Sequence, residues 1–409
     1  MIDLAPAARP PVCSLPPARP LRALHVIDSL GMGGAETWLI ELLRFWGENG
    51  AVRNDFIATG GQSALFDAEA AALGAKIHYL RFGRDSLPAF ARGFRRILAE
   101  GGYDALHDHQ DHAGGWRYLL GRGRLPPVRV THVHNPAYQI RHNYGVTARR
   151  RLVGRIGKRL VARYATHIVG TSREVITAYG FDDPAFERIP KAALHCGFDP
   201  ARFAASADAR AEVRAEFGWP AGARVVLFAG RFDISPELGH PQNHKNSGFA
   251  VQLAIDCARM SERTCFIFAG AASAATAGLR GRIETAGLGE RIFFAGVRQD
   301  IGRLMAGADA LLFPSRAEGL GMVAVEAQAA GLPVLASTGV PRECVVIPEL
   351  MRFLSLDAGA EAWRDALLAM LAARRPHAAE ANRRVAASPF AIAQSARRLA
   401  ELYRTGALV

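Results

Sequence analysis

Short apolar runs alternate along the chain with longer stretches whose apolar residues recur every three or four positions. The runs have the length and composition of buried strands, and the longer stretches have the period of amphipathic helices. Strand–helix alternation with short connections predicts a parallel sheet covered by helices on both faces. In the first half, the predicted strands are Ala23–Ile27, Asn54–Ala58, Lys76–Tyr79, Ala105–His107, Arg129–Val133 and His167–Val169, and the predicted helices include Ala35–Trp46, Leu87–Leu98 and Thr147–Arg163.

The same plan begins again after Phe203. The sequence therefore predicts an α/β protein with two doubly wound, Rossmann-like domains that face each other across a cleft. In such sheets, ligands bind beyond the C-terminal ends of the strands. The predicted strands are Val225–Ala229, Cys265–Phe268, Ile292–Phe294, Ala310–Phe313 and Val334–Ala336, and the predicted helices include Ser247–Arg259, Gly321–Ala330 and a final helix over Phe390–Tyr403.

The 409 residues are enough for two domains, each with its own core. We predict a disordered tail over residues 1–21, a first domain over 22–203, a second over 204–387 and a C-terminal helix over 388–409. The stretch Asp199–Ala209 is the predicted linker. The tail lacks the apolar core of a signal peptide, and no run of 18 apolar residues follows it, so we expect a cytoplasmic protein.

The charge balance is basic: 50 Lys and Arg residues against 38 Asp and Glu residues give a net charge of +12. Such a surplus favours an anionic partner, which leaves nucleic acid, phospholipid headgroups and a phosphorylated substrate. The five cysteines are scattered and form no C-x-x-C pattern, so they predict neither a disulfide framework nor a zinc site.

The helix predicted near Thr147–Arg163 carries many of the basic residues. No acidic residue occurs between Arg141 and Arg163. One interpretation is a peripheral helix attracted to an anionic membrane, and the other is an ordinary domain helix with its arginines in water. Nucleic acid is disfavoured because no recognised binding motif accompanies the charge. The candidate membrane-facing residues are Arg149, Arg150, Arg151, Arg155, Lys158 and Arg159.

The strongest local motif is a pair of glutamates eight positions apart that follows the strand Ala310–Phe313. Its glycines let the backbone approach a ligand closely, and the helix behind it offers unpaired N–H groups. Two carboxylates suit the vicinal hydroxyls of a sugar and a ribose. The alternative is that Glu318 caps the helix and Glu326 is a solvated charge. The motif comprises Glu318, Gly319, Leu320, Gly321, Met322 and Glu326.

Two cations stand near strand ends of the second domain. Arg231 follows its first strand, and Lys245 precedes the next helix. Together they would neutralise a diphosphate, with Arg as a planar fork and Lys as a mobile point charge. The alternative is a lysine that merely stands near a helix start.

A glycine loop follows the first strand of the chain. Gly33 and Gly34 allow close approach to a ligand at the start of a helix. The loop is not a dinucleotide fingerprint, because Glu36 stands where the third glycine of G-x-G-x-x-G is required.

Histidines cluster near the ends of two predicted strands, at His107, His109 and His112 and at His132 and His134. A metal site is disfavoured because no paired helical H-x3-H spacing is present, so we predict none. We expect these side chains to face the cleft, where His132 or His134 would orient a hydroxyl or phosphate of an acceptor.

In this order and spacing, the motifs resemble the retaining glycosyltransferases of family 4, which have the GT-B fold, and in particular bacterial enzymes of exopolysaccharide and lipopolysaccharide assembly. The resemblance covers nearly the whole chain from about Leu24. Two features depart from the family pattern: a longer loop over Phe232–His244, and His195-Cys196 where many members have Asn. The resemblance rests on Asp28–Glu36, Tyr103–His107, Gly197–Phe203, Gly230-Arg231 with Lys245-Asn246, and Phe313–Pro333.

The resemblance implies a nucleoside-diphosphate-sugar as donor substrate, no cofactor and no metal. Arg231 and Lys245 would bind the diphosphate, and Glu326 the ribose. Glu318 and the backbone of Gly319–Met322 would contact the transferred sugar. The final helix would return to the first domain. That domain would contribute Gly33 and Gly34 at the diphosphate and His134 or His132 near the reacting centre. His109 would lie with these histidines on the acceptor side.

The predicted function is therefore transfer of a hexose-type sugar, with retention, to an acceptor hydroxyl of a glycan or lipid-linked intermediate in surface polysaccharide assembly. Glu318, His134, Arg231 and Lys245 are the candidate catalytic residues. We expect the protein in the cytoplasm, with peripheral association at the inner face of the membrane. The alternatives are a sugar-nucleotide epimerase of the same fold and a donor-binding homologue without activity.

Overall fold

The protein is described by a computed structural model that covers residues 19–135, 147–204, 208–235, 240, 243–373 and 377–408. Most of the predicted N-terminal tail lies outside the described residues. The described residues divide into two compact units, one of residues 19–135, 147–198 and 392–408, and the other of the described residues from 199 to 391.

The first unit is built on a seven-stranded parallel sheet with the order β3-β2-β1-β4-β5-β6-β7. All six predicted strands are present. The seventh was missed because it has three residues and only a partly buried, lysine-containing sequence. The strands are β1 Leu21–Ile27, β2 Val52–Ala58, β3 Ile77–Tyr79, β4 Ala105–Asp108, β5 Val128–Val133, β6 His167–Gly170 and β7 Lys191–Ala193.

Helices flank this sheet, and their apolar faces supply its core. Phe90 and Phe94 pack with Leu24, Val26 and residues of the neighbouring strands in one buried cluster. Period-3.6 spacing of apolar residues explains which face of each helix is buried. The helices are α1 Gly34–Asn49, α2 Asp67–Ala72, α3 Leu87–Gly101, α4 Gly114–Leu120, α5 Ala148–Tyr164, α6 Arg173–Ala178 and, at the far end of the chain, α14 Ile392–Thr405.

The last helix, α14, packs against α1 and β1 of the first unit. The indole Nε1 of Trp38 donates a hydrogen bond of 2.9 Å to Oγ of Ser395, and both residues are buried. A predicted helix start at Phe390 is two residues early, because Ile392 is the first helical residue.

The second unit is a six-stranded parallel sheet with the order β10-β9-β8-β11-β12-β13. Two sheets of parallel strands with helical crossovers confirm the predicted fold class. The strands are β8 Arg224–Ala229, β9 Thr264–Ala269, β10 Ile292–Gly296, β11 Ala310–Phe313, β12 Val334–Ser337 and β13 Met351–Leu354, and the helices are α7 Ala209–Glu216, α8 Ser247–Met260, α9 Thr276–Thr285, α10 Ile301–Gly307, α11 Met322–Ala329, α12 Gly359–Ala372 and α13 Ala378–Ala386.

The described first residues of the predicted linker, 199–204, are not an irregular loop. Pro200–Phe203 forms a 3-10 helix that begins at Asp199, whose carboxylate accepts a hydrogen bond from the backbone N–H of Ala201. Asn382 of α13 donates to the carbonyl of Pro200 at 2.7 Å. The Asx cap and this side-chain bond hold the segment against the second unit.

Candidate functional site

In the second unit, a buried aspartate organises the segment that carries Lys245. The Asp233 carboxylate accepts hydrogen bonds from the backbone N–H of Lys245 (2.9 Å) and from the N–H of Ser247, where α8 begins. Burial raises the pKa of Asp233, and these backbone hydrogen bonds oppose that rise. Asn246 between them adopts a left-handed backbone with φ of 58°. Our sequence analysis missed Asp233, although its place two residues after Arg231 was the available signal.

This arrangement brings Lys245 to Glu318. The Lys245 Nζ lies 2.6 Å from Glu318 Oε1, and the side chains are 24% and 10% exposed. The stem of Lys245 passes over Gly230, and its ammonium lies 5.5 Å from the centre of the Phe313 ring. The longer loop before Lys245 therefore does not separate it from the glutamate motif.

Arg231 lies at the same strand end, two residues after the last residue of β8. Its side chain is exposed, and it has no hydrogen bond or ion pair with the residues that the structure describes. The backbone around it is tightly packed, because a Cβ on Gly270 would lie 1.8 Å from the carbonyl oxygen of Gly230. A guanidinium on a fixed backbone at this edge is available to an anionic ligand.

The glutamate motif forms the turn between β11 and α11. Gly321 is the residue before the helix and has φ of 88°, a conformation that favours glycine. Glu318 donates its backbone N–H to the carbonyl of Gly339 at 3.1 Å, while its side chain pairs with Lys245. Glu318 therefore serves the lysine and does not cap the helix. Glu326 lies half-buried on α11, Leu320 is buried, and Gly319 and Met322 are half-buried.

In the first unit, the glycine loop ends at the start of α1. Gly33 has an extended backbone, and its carbonyl accepts a hydrogen bond from Thr37 N–H at 2.9 Å. Gly34 is exposed. The Glu36 carboxylate folds back over Gly33, so closely that a Cβ on Gly33 would lie 2.2 Å from Oε2. An anion that approaches this helix start therefore meets a carboxylate as well as backbone N–H groups.

The predicted histidines His109, His132 and His134 do lie together, at neighbouring strand ends. His107, which our sequence analysis placed in the same cluster, lies with them, and so does His25, which is paired with His107 across β1 and β4 and which our sequence analysis missed. The centres of the His132 and His134 rings are 3.8 Å apart. His112 lies elsewhere, against Gly154 and Gly157 of α5.

Burial keeps these imidazoles neutral. It lowers the pKa of His25 to about 4 and that of His134 to about 3, and it lowers the pKa of His107, His109 and His132 well below the ordinary value of 6.5. The neighbouring histidines also lower the pKa of these last three groups, because two positive rings at such short distances repel each other.

The same rings bring possible metal ligands together. One ring nitrogen from each of His25, His107 and His109 lies within 4.8 Å of the other two, and the same holds for one nitrogen from each of His109, His132 and His134. Imidazole is a good ligand for zinc and other transition metals. Because the histidines converge from different strands, the lack of an H-x3-H spacing does not exclude a metal.

The basic helix α5 presents most of its predicted cations to solvent. Arg149, Arg150, Arg151, Arg155 and Arg159 are exposed. Two apolar side chains among them are also exposed, Leu152 at 56% and Val153 at 45%.

Lys158 differs from the other predicted membrane-facing residues. It is half-buried, and its ammonium donates to the carbonyl of Tyr179 and lies 5.7 Å from the centre of the Phe181 ring. It is therefore a structural lysine. Among the described helices, α5 included, none combines the length and the apolar character needed to cross a membrane.

Two family models match the chain, one in each unit. The model described as "Glycosyltransferase Family 4" matches residues 32–192, and the model described as "Glycosyl transferases group 1" matches residues 223–373. The first range holds the glycine loop and the histidines, and the second holds Arg231, Lys245 and the glutamate motif.

Two curated relatives align over most of the chain. The putative glycosyltransferase EpsF of Bacillus subtilis strain 168 is 28% identical over 361 residues, which are 87% of this chain and 89% of EpsF. The D-inositol 3-phosphate glycosyltransferase of Xylanimonas cellulosilytica is 26% identical over 400 residues, which are 91% of each chain.

Solved structures share the fold at lower identity. HepE of Anabaena, solved in complex with UDP and glucose, superposes with a TM-score of 0.68 at 19% identity, over 93% of this chain and 98% of HepE. WaaG, a glycosyltransferase of lipopolysaccharide biosynthesis, superposes with a TM-score of 0.67 at 17% identity, over 94% of this chain and 99% of WaaG.

Proposed function

The chain is a glycosyltransferase with the GT-B fold, and from that premise we propose that it moves a sugar from a nucleoside diphosphate to an acceptor hydroxyl with retention of configuration. The observation that carries the proposal is the contact of Lys245 with Glu318 at the C-terminal ends of β8 and β11. These strands are neighbours in the sheet, and ligands of doubly wound sheets bind at such strand ends.

The second unit is proposed to hold the donor. Arg231 and Lys245 would bind the diphosphate, Glu326 the ribose, and Glu318 with the backbone of Gly319–Met322 the transferred sugar. The exposure of the Arg231 guanidinium and the N-terminus of α11 favour an anionic ligand with hydroxyl groups. HepE, which shares the fold, has been solved with UDP and with UDP-glucose, which supports this donor class.

During transfer, the bond between the anomeric carbon and the diphosphate oxygen breaks. Negative charge builds on the departing diphosphate, the acceptor oxygen bonds to that carbon, and the proton of the acceptor hydroxyl passes to the departing diphosphate. We propose that Arg231, Lys245 and the N–H groups of α11 stabilise that charge, without a metal ion or a cofactor.

The acceptor is proposed to be a glycan or lipid-linked intermediate of surface polysaccharide assembly, held at the cluster of His109, His132 and His134 in the first unit, where His109 supports His134 from behind. The relative EpsF and the shared fold of WaaG favour this setting. The neutral imidazoles suit hydroxyl groups better than phosphates, because each ring has one donor and one acceptor nitrogen and no positive charge to attract an anion.

A panel of nucleoside-diphosphate-sugars tests the donor assignment. A matching donor should raise the melting temperature of the full chain, because it binds the folded state alone. It should then transfer its sugar to added acceptor, with the anomeric configuration read by NMR. Conversion of the donor without acceptor would point to an epimerase, and binding without turnover on any acceptor would point to an inactive homologue.

We also propose that α5 associates with an anionic membrane surface. Exposed Leu152 and Val153 between arginines are typical of interfacial helices. The full chain should sediment with vesicles containing phosphatidylglycerol at low salt and remain free with phosphatidylcholine vesicles. Arg151→Glu with Arg155→Glu should abolish that binding, whereas Arg397→Glu, a charge reversal on α14, should not. Equal binding to both kinds of vesicle would refute the proposal.

A further inference from the structure

A chain of hydrogen bonds leads from a buried amide to His134. The Asn54 side-chain oxygen lies 2.9 Å from His25 Nε2. The other nitrogen of this ring, Nδ1, lies 2.9 Å from His109 Nε2, and His109 Nδ1 lies 2.9 Å from His134 Nε2. Asn54, His25 and His109 are all buried, so water does not compete for these bonds.

The amide gives this chain a direction. In the structure the carbonyl oxygen of Asn54 faces Nε2 of His25, and the Asn54 Nδ2 has no partner among the described residues, so we infer from this amide orientation that His25 carries its proton on Nε2. Its Nδ1 is then bare and accepts from His109 Nε2–H, and His109 Nδ1 in turn accepts from His134 Nε2–H. A neutral imidazole has one proton, and the Nδ1 of His134 is therefore a bare acceptor. That atom is buried and has no hydrogen-bond partner among the described residues.

A second chain runs in the opposite direction from Tyr403. The Tyr403 hydroxyl lies 2.6 Å from His107 Nδ1, and His107 Nε2 lies 3.0 Å from His132 Nδ1. Burial raises the pKa of Tyr403 well above 10, so the phenol keeps its proton. His107 Nδ1 is the partner that the structure gives this hydroxyl, so the phenol donates to it. The proton of His132 then lies on Nε2, an atom that is also buried without a partner among the described residues.

We propose that Asn54, acting through His25 and His109, sets the tautomer of His134, so that His134 Nδ1 accepts a hydrogen bond from a substrate hydroxyl while His132 Nε2–H donates one. A hydroxyl both donates and accepts, so this pair of atoms matches it on both counts. The role of His134 at a substrate hydroxyl rests on the proposed function; the tautomer itself does not.

Packing holds the rings in the geometry that the chains need. Trp38 meets His132 edge-on, with 5.5 Å between ring centres, and the His107 and His109 rings stack at 4.2 Å. Asn54, His25 and Tyr403 are thus positioning residues, because they act on the substrate only through other imidazoles. Reversal of the Asn54 amide would reverse every proton along the first chain and would turn His134 Nδ1 into a donor.

Side-chain ¹⁵N NMR of the full chain, labelled at histidine and kept free of metal by a chelator, tests the proposal. Protonated and bare imidazole nitrogens have distinct shifts, and His134→Gln and His132→Gln identify the signals. We expect a bare Nδ1 and a protonated Nε2 on both residues at neutral pH. A protonated Nδ1 on His134, or a His134 ring protonated on both nitrogens, would overturn the proposal. The spectrum of the wild-type protein is sufficient for this test.

Two variants test the two chains separately. Asn54→Leu removes the oxygen that fixes the first chain, so the His134 signals should shift toward a mixture of tautomers while His132 stays unchanged. Tyr403→Phe should do the reverse. With a transferable donor, Asn54→Leu should also lower kcat roughly tenfold, the effect of about one hydrogen bond, with little change in donor KM. If the His134 signals do not change in a folded Asn54→Leu protein, the proposed effect of Asn54 on the His134 tautomer is contradicted.

The outcomes separate this proposal from the proposed function. If the protein transfers sugar but His134 has the opposite tautomer, only the proposal that Asn54 sets the His134 tautomer is disproved. If the protein has the expected tautomers but transfers no sugar, only the proposed function is disproved. Zn²⁺ provides a further test. If one equivalent removes the tautomer signals of His109, His132 and His134 together, the cluster is a metal site and the proposal about the His134 tautomer is overturned.

Discussion

The ammonium of Lys245 lies 2.6 Å from a carboxylate oxygen of Glu318, although 73 positions separate the two residues in the chain. The pairing arises because β8 and β11 are adjacent in the sheet, so the loops at their C-terminal ends meet. Lys245 is 24% exposed and can still reach a ligand. We propose that Glu318 thus holds the ammonium of Lys245 in place for the diphosphate of the donor.

Lys245→Ala should lower kcat for transfer by roughly 100-fold or more, because one stabilising contact to developing charge contributes effects of that order. Steady-state kinetics with the donor found by thermal shift measure the effect. Lys76→Ala removes an exposed lysine from the first unit and is the matched control. Equal activity in the two variants would remove Lys245 from the site.

Glu326→Ala should weaken donor binding more than it slows the chemical step, since a ribose contact is present in both ground state and transition state. We expect a rise in donor Kd of roughly tenfold, the effect of about one charge-assisted hydrogen bond. Isothermal titration measures it. Glu284→Ala, at an exposed helical position of α9 in the same unit, should leave Kd unchanged.

Most of the fold was predictable because both sheets are buried on two faces, and buried parallel strands appear as continuous apolar runs. Arg129–Val133 and Val334–Ala336 were found in this way. The strands β7 and β13 were missed because they are short and partly exposed, so their sequences carry little contrast with loops.

The site was predictable in part. Motif order indicated Lys245 and Glu318, yet their contact depends on strand order, which periodicity does not encode. His25 was missed for the same reason: it sits within an apolar strand, and only the β1–β4 register places it beside His107. Lys158 was assigned to a membrane surface because spacing alone does not show that Tyr179 takes up its ammonium.

Gly321→Ala should impair the donor site and destabilise the second unit. The residue has φ of 88°, and a Cβ there would lie 2.8 Å from Val340 Cγ1. A left-handed backbone costs about 1 kcal/mol or more for alanine, and the contact adds to that cost. Gly281→Ala is the control, because its Cβ would meet nothing within 4 Å and it lies within α9. Thermal melts should show a lower melting temperature for the first variant and a higher one for the second.

Arg117→Leu should destabilise the first unit by about 3–5 kcal/mol, because it leaves the Asp108 carboxylate buried without its partner. Both side chains are fully buried, and Arg117 Nη2 lies 2.6 Å from Asp108 Oδ1. Urea unfolding measures the change. The double variant with Asp108→Asn should recover part of the loss. Arg404→Leu, which removes an exposed ion pair with Glu401, should cost less than about 1 kcal/mol.

We expect the buried histidines to make the first unit unstable in acid. In the unfolded chain they take up protons near pH 6.5, whereas burial lowers the folded pKa of His25 to about 4 and that of His134 to about 3. Their contribution to the free energy of unfolding is complete above about pH 6.5. It is lost as the pH falls toward the pKa values of the folded state, by up to about 1.4 kcal/mol per pH unit for each histidine.

Asp111 opposes this trend, since burial raises its pKa to about 7 and its own contribution falls as the pH rises from about 4 to about 7. The five histidines with a lowered pKa outweigh the one carboxyl with a raised pKa, so the free energy of unfolding should fall steeply below about pH 6.5. Urea unfolding, read by pulsed hydrogen exchange at β4 and β5, reports the first unit. His25→Gln should flatten the slope by about one proton, and His377→Gln, an exposed residue, should not change it. A wild-type free energy that stays level between about pH 6.5 and about pH 4.5 would show that the cluster is protonated in the folded state.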